Sequence, residues 1–389
     1  MMDAGYTVKI AQSIEEVENI RNIWEEMQWH PNADIDYYLT VIDSRNEIIK
    51  PYIITLYRND LPVTMLIGRI EKLKLELRIG YKTFLRPVIR SLTVIYGGIL
   101  GETTSPNIER LIDELIKSLK RNVADVVYLS HLNVNSDIYR FAITKPNFLS
   151  RNHYPIPKSH WRMSVPATME EFYTTVNYKV RKNLRRSARK LEKTYPDKVT
   201  LRCFRKKSEI DQFIGDSERI AKKTYQRGLR VGFIDNVENR RLINLSSEKG
   251  WFRSYILYAD DNPVAFEKML HYGDTLFCQD AAYDPDYFDI EPGTNIFLEI
   301  LDELSTENRI AYVDFGFGDA RYKRNFSDLS WKEEDVYIFA PKIKCVTINL
   351  VKTMFSAMSE FAEKILRQTN FYQKIKKYWR IRLTQKSKN

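Results

Sequence analysis

Three carboxylates stand on segments that alternate like β-strands, and each could accept a proton in a reaction. Glu267 lies in PVAFEKML, Asp280 in TLFCQDAAY and Asp314 in RIAYVDFGF. A strand carboxylate that lines a buried cleft can have a raised pKa, which suits a general base. Strand alternation puts Asp314 on the face opposite Val313 and Phe315. We therefore rank Asp314 first and Glu267 second, and the alternative for either is a structural ion pair with an arginine.

The segment PGTN at 292–295 opens a predicted helix. Pro292 suits the first helical turn, and Gly293 permits close approach of another group to the backbone. The N–H groups of a first turn have no partner within the helix, so they can bind a phosphate-type anion. The alternative is an ordinary helix start.

A basic helix is predicted between the two halves of the chain, at residues 168–197. Its sequence TTVNYKVRKNLRRSARKLEK combines an apolar stripe with many cations. Arg181 and Arg185 are candidates for binding an anionic substrate, because the planar guanidinium suits phosphate or carboxylate. The alternative is the solvated face of a packed helix.

Several classes of site are excluded by the sequence. The three cysteines are few, odd in number and far apart, and the five histidines show no metal-ligand spacing. We therefore expect neither a disulfide framework nor a metal. The sequence also lacks a GxSxG elbow, a GxxxxGK[ST] loop and a GxGxxG turn after a strand, which excludes serine hydrolases, nucleotide hydrolases and dinucleotide enzymes of those types.

Length and charge set the remaining limits. At 389 residues the chain exceeds the roughly 250 to 300 residues of one hydrophobic core, so two domains are expected. A net charge of +10 favours anionic partners. The N-terminus shows neither a signal peptide nor an apolar span, so we expect a cytoplasmic protein.

The predicted elements repeat. Hydrophobic periodicity gives the order β-α-α-β-β-β-α-β-α-β in the first half and again in the second. We expect an N-terminal domain at 1–167, the basic linker helix at 168–197, a C-terminal domain at 198–341 and an amphipathic basic helix at 342–389.

The second half resembles a known family. The segments KVRKNLRRSARKLEK, AAYDPDYFDIEPGTNIFLEI and VDFGFGDARYKRNFSD resemble the GNAT branch found beside cellulose and other exopolysaccharide biosynthesis proteins. That branch is similar to the Fem-type aminoacyl transferases with paired GNAT domains. The resemblance implies an α/β (α+β) class with two tandem GNAT-like domains, each a mixed, mostly antiparallel sheet flanked by helices, and a basic C-terminal helix. The first domain is expected to be degenerate and the second catalytic.

The resemblance also implies a site. In a GNAT fold an acyl-thioester arm lies where the fourth strand and the following helix part from the fifth strand. The donor-binding residues would be Ala281, Tyr283, Gly293, Thr294 and Asn295. YKRNF resembles the Fem-type FKxxF motif, so Lys323 would lie near the reacting carbonyl or the phosphates of the acceptor and stabilise an oxyanion. Tyr322 and Arg324 would contact the acceptor.

The implied function is transfer of an acyl group to an amine or hydroxyl of a sugar. The donor would be acetyl-CoA or another acyl-CoA, and the acceptor a lipid-linked or nucleotide-linked precursor of surface polysaccharide. The sequence departs from the usual Q/RxxGxG/A loop, so transfer from aminoacyl-tRNA stays open. The other alternative is a non-catalytic module that binds an anionic glycan or membrane.

The C-terminal helix carries a further expectation. Its aromatic and cationic end, FYQKIKKYWRIRLTQKSKN, suits the anionic inner face of a membrane or tRNA, and no DNA is expected. The alternative is a helix packed on its own domain with a basic tail.

Overall fold

The computed structural model describes residues 5–80, 82–229, 231–307 and 309–368. Its strands are β1 (Tyr6–Ala11), β2 (Ile48–Arg58), β3 (Leu61–Lys74), β4 (Leu77–Ile79), β5 (Lys82–Leu85), β6 (Val88–Gly101), β7 (Val126–Asn133), β8 (Lys158–Ser164), β9 (Val199–Phe204), β10 (Ser254–Ala259), β11 (Asn262–Tyr272), β12 (Thr275–Tyr283), β13 (Tyr312–Phe317) and β14 (Leu329–Phe339). Its helices are α1 (Ile14–Asn19), α2 (Arg21–Met27), α3 (Ile35–Ser44), α4 (Ser105–Lys120), α5 (Asp137–Thr144), α6 (Met169–Thr175), α7 (Tyr178–Thr194), α8 (Ile210–Ala221), α9 (Tyr225–Gly228), α10 (Val237–Glu248), α11 (Pro292–Ser305), α12 (Arg321–Phe326) and α13 (Ile343–Gln368).

The chain divides into two compact units. Within the described residues, the first unit takes the chain up to Lys158 and again from Lys332, and the second takes Ser159–Trp331. The first sheet has the strand order β1-β2-β3-β6-β7-β14, and the second has the order β8-β13-β12-β11-β10-β9. In each, one inner pair is parallel, β6 with β7 and β12 with β13. The prediction of mixed, mostly antiparallel sheets flanked by helices is confirmed.

The last strand of each sequence half belongs to the sheet of the other half. β8 follows the first half in sequence but pairs with β13 from Tyr312 to Phe317. β14 follows the second half but pairs with β7. The predicted boundaries at 167 and 341 therefore differ from the division at 158 and 331. Local periodicity predicts a strand but does not say which strand is its neighbour.

The second sheet is covered on both faces. Alternate residues of β11 separate two cores: Ala265 and Met269 pack with α6, α7 and α11, whereas Phe266 packs with α8. Because side chains alternate along a strand, Glu267 lies on the α11 side and Lys268 on the α8 side.

Helix α13 packs on the first unit. Cys345, Ile348, Val351 and Phe355 join the core formed by β2, β3, β6, β7, α4 and α5. Of the predicted C-terminal helix at 342–389, residues 369–389 lie outside the described residues. None of the helices in the described part of the chain combines the length and apolarity needed to cross a membrane.

Candidate active site

Strands β12 and β13 part halfway along their length. Their parallel pairing runs only from Thr275 with Tyr312 to Phe277 with Asp314. Beyond that point β12 stays paired with β11 up to Tyr283, and β13 stays paired with β8. A cavity of about 1290 Å³ opens in the second unit beside the parting strands. It is lined by the second half of β12 and by the first turns of α11 and α12.

The start of α11 borders this cavity. Glu291 adopts a left-handed conformation with φ 49°, Pro292 takes the first helical position, and Gly293 and Thr294 line the cavity. A Cβ atom built on Gly293 would lie 3.3 Å from Cδ1 of Tyr283. Only a glycine therefore fits here without displacing the ring of Tyr283.

Four of the five predicted donor-binding residues line the cavity, namely Ala281, Tyr283, Gly293 and Thr294. Asn295 does not. Its buried side chain donates hydrogen bonds to the carbonyl oxygen of Ile290 at 2.7 Å and to Oγ of Ser187 at 3.2 Å. Asn295 thus connects α7 to the turn that precedes α11. Its role in the structure is to hold these two elements together, and its side chain does not reach the cavity.

Glu267 brings a buried carboxyl group to the cavity wall. Its side chain is 5% exposed, and no residue in the described part of the chain forms a hydrogen bond with the carboxyl group. Burial raises the pKa of Glu267 to about 8; Lys323 opposes this rise and Asp280 adds to it. A carboxyl group that changes charge near neutral pH is suited to proton transfer.

Lys323 also lines the cavity, but its ammonium group is occupied by the backbone. Nζ donates hydrogen bonds to the carbonyl oxygens of Phe315 at 2.5 Å, Gly316 at 3.3 Å and Phe317 at 3.1 Å. These carbonyls end β13 where it has left β12. Burial lowers the pKa of Lys323, and the nearby Cys278 and Glu267 oppose that change. The ammonium group therefore holds the end of β13, which is one wall of the cavity.

Asp314, the base ranked first from the sequence, does not line the cavity. Its Oδ1 accepts hydrogen bonds from the backbone N–H of Gly316 at 2.8 Å and lies 2.8 Å from Nε2 of His160. His160 is 1% exposed and stacks on Trp331. Asp314 is thus engaged with the neighbouring strand β8, while Glu267 is the candidate that reaches the cavity.

The predicted acceptor-binding residues are dispersed. Tyr322 lines the cavity. Arg181 instead donates to the carbonyl oxygen of Tyr173, Arg185 lies 4.7 Å from the centre of the Tyr173 ring, and Arg324 pairs with Asp319 at 3.4 Å. These three arginines do not line the cavity.

Other cavity residues were missed by the sequence analysis. Arg186 of α7 and Arg321 of α12 line the cavity together with the half-buried Cys278, whose pKa is raised by desolvation. Asp280, which the sequence analysis did name as a candidate carboxylate, also lines the cavity, and its carboxylate lies 3.6 Å from Nζ of Lys268. The basic run of α7 indicated a cationic face, but it could not show which arginine turns toward β12. The described residues contain no group of side chains that could hold a metal ion.

Residues 178–324 match the family model of the acetyltransferase (GNAT) domain. This part of the chain belongs to the GNAT superfamily. The match begins at the first residue of α7 and ends inside α12, so it contains the parting strands and the cavity. The predicted GNAT resemblance is confirmed, and the GNAT domain supports an acyltransferase class. The assignment to the exopolysaccharide-associated branch stays a prediction.

Solved structures similar to this chain include FemX, with a TM-score of 0.48 and 9% identity over 75% of this chain and 88% of that one. A tandem GNAT protein from the clavulanic acid biosynthesis pathway has a TM-score of 0.47 and 7% identity, over 86% and 99%. L-PGS from Bacillus licheniformis has a TM-score of 0.46 and 11% identity, over 76% and 86%. Among curated proteins, no sequence matches this chain.

Proposed function

We propose that the second unit transfers an acyl group from a thioester, acetyl-CoA or another acyl-CoA, to an amine or hydroxyl of a sugar-containing precursor. The proposal depends on one observation: the gap between β12 and β13 exposes the buried carboxyl group of Glu267 to a cavity that α11 opens onto. A GNAT domain holds its thioester donor in this gap.

The residues at the gap fit the pantetheine part of such a donor. Six consecutive residues of β12, 278–283, line the cavity, so an extended amide-containing arm can lie along that strand. Gly293 and Thr294 lie in the first turn of α11, where the helix dipole favours a negative charge. The backbone N–H of Thr294 already donates to the carbonyl oxygen of Glu291 at 2.9 Å, so the N–H of Gly293 is the group that would face a donor phosphate. Arg186 and Arg321 add cationic groups to the lining.

The chemical step is a direct attack. The lone pair of the acceptor amine or hydroxyl forms a bond to the thioester carbonyl carbon, and the carbon–sulfur bond breaks to release the thiolate. Glu267 takes the proton of the attacking group. Because the pKa of Glu267 is about 8, the fraction of Glu267 in the carboxylate form rises through that pH and levels off above it, and the rate is expected to follow the same curve.

A second candidate is transfer from aminoacyl-tRNA. One observation favours it: Glu291, rather than a cation, stands at the start of α11, and its carboxylate lies 3.9 Å from Arg186. A carboxylate at the start of α11 would repel the pyrophosphate group of coenzyme A. Helix α7 also exposes Lys179, Lys182 and Arg185, and such groups bind the phosphates of RNA with a strong salt dependence.

Calorimetry with acetyl-CoA and with an aminoacyl-tRNA separates the two candidates. Saturable binding of acetyl-CoA, with release of free coenzyme A thiol when glucosamine or UDP-glucosamine is added, supports the first. Binding of the aminoacyl-tRNA without binding of acetyl-CoA would reject it in favour of the second.

The variant Glu267→Gln tests the chemistry. We expect turnover to fall by about 10²-fold or more, with donor affinity unchanged. Glu248→Gln, at an exposed glutamate paired with Lys207, is the matched control. Equal turnover for both variants would mean that Glu267 is not the base. If the wild type binds a glycan but shows no turnover, the protein is a binding module.

A further inference from the structure

Helix α13 carries an apolar stripe that the first unit does not cover. Leu350 is 49% exposed, Met354 51%, Met358 46% and Phe361 67%. These positions are four, four and three residues apart, which places them on one side of an α-helix. Ile343, 90% exposed, continues the same side, so the stripe spans about 27 Å at about 1.5 Å per residue.

The opposite side of the helix accounts for its attachment to the protein. Cys345, Ile348, Val351 and Phe355 pack into the core of the first unit. The packing of α13 therefore does not require the exposed stripe. Exposed apolar residues in a continuous row mark a surface that binds a partner or a membrane.

The hairpin β4–β5 adds apolar and cationic groups beside α13. The ring of Phe84 lies 5.7 Å from that of Phe355, and the backbone N–H of Gly80 donates to Oγ of Ser359. Phe84 and Leu85 are about half exposed, and Nζ of Lys82 lies 4.9 Å from the centre of the Phe84 ring. The hairpin thus presents aromatic and cationic groups together.

The charge of the segment that follows α13 in sequence indicates what the exposed stripe binds. Residues 369–389 contain seven Lys and Arg, no Asp or Glu, and the aromatic residues Phe371, Tyr372, Tyr378 and Trp379. An apolar helix stripe followed by cations and aromatics matches the surface of an anionic bilayer, where apolar side chains enter the acyl region and cations meet the head groups. Neither a protein partner nor a second copy of this chain would require a segment with seven cations and no anion.

We propose that the stripe Ile343, Leu350, Met354, Met358 and Phe361 binds the surface of an anionic lipid bilayer. The helix would lie in the plane of the interface with its opposite side still packed on the first unit. This inference is independent of the acyl donor and of the chemistry at Glu267.

Sedimentation with vesicles tests the proposal. The wild-type full chain is expected to bind vesicles enriched in phosphatidylglycerol and to bind pure phosphatidylcholine vesicles much more weakly, with binding that decreases as salt is added. The double variant Met354→Ser with Met358→Ser is expected to bind the anionic vesicles about tenfold more weakly. Leu61→Ser removes an apolar side chain that is even more exposed, at the first residue of β3, and is expected to bind like the wild type.

Three results would overturn the proposal. The first is equal binding of the wild type and the double variant. The second is binding to neutral vesicles as tight as to anionic ones. The third is a dimer, seen by light scattering, that the double variant converts to a monomer, because the stripe would then bind a second copy. The wild-type comparison between the two lipids remains decisive even if the double variant fails to fold.

Discussion

The ionisation of Glu267 gives a quantitative test of the site. In the variant Glu267→Gln a neutral amide of similar shape replaces a carboxyl group whose pKa is raised from 4.5 to about 8 by burial. At a pH below 4.5 the carboxyl group is protonated in both the folded and the unfolded chain. At a pH above about 8 the carboxyl group is ionised in both, and the folded state is destabilised by a buried charge.

The magnitude follows from the shift. A rise from 4.5 to about 8 corresponds to about 5 kcal/mol at about 1.4 kcal/mol for each pKa unit. Because the folded chain holds the proton more tightly, the stability of the wild type falls with rising pH across this window. The glutamine variant lacks this loss. It should become more stable relative to the wild type by between about 2 and 5 kcal/mol on passing from about pH 5 to about pH 9.

Urea unfolding at several pH values measures this difference, since titrating groups distant from Glu267 contribute equally to the stability of both proteins. Glu248→Gln serves as the control, and its stability should stay within about 0.5 kcal/mol of the wild type at every pH. A difference between Glu267→Gln and the wild type that does not change with pH would refute the argument from burial.

Three further perturbations test the surroundings of the cavity. Lys323→Met leaves three carbonyl groups of β13 without their donor, so the free energy of unfolding should fall by about 1 to 3 kcal/mol in urea, whereas a purely catalytic lysine would leave it unchanged. Gly293→Ala improves helix propensity by up to about 1 kcal/mol but brings a Cβ against Tyr283, so acetyl-CoA affinity measured by calorimetry should fall several-fold without loss of thermal stability. Asp314→Ala removes the carboxylate that lies 2.8 Å from Nε2 of the buried His160 and should destabilise the protein by about 3 kcal/mol, while the midpoint of the pH–rate profile stays in place. A displaced midpoint would indicate that Asp314 is the base.

The sequence determined most of the local structure. The alternation in TLFCQDAAY and RIAYVDFGF predicts strands, and the structure places β12 and β13 there. PGTN predicts a helix start, and α11 begins at Pro292. These features depend on residues that are close in the chain, because backbone preference and periodicity act over a few positions. The same local patterns, with the matching motifs, were enough to identify the GNAT domain.

Only the tertiary structure decided the neighbours of these elements. Pairing of β8 with β13 joins positions about 150 residues apart. Neither segment contains a local pattern that predicts the other as its partner. The same pairing brings His160 to Asp314 and takes that carboxylate away from the cavity. Glu267 gains its raised pKa from burial beneath elements distant in sequence. Hydrogen bonding and desolvation depend on which groups surround a side chain, and that is settled when distant strands pack together.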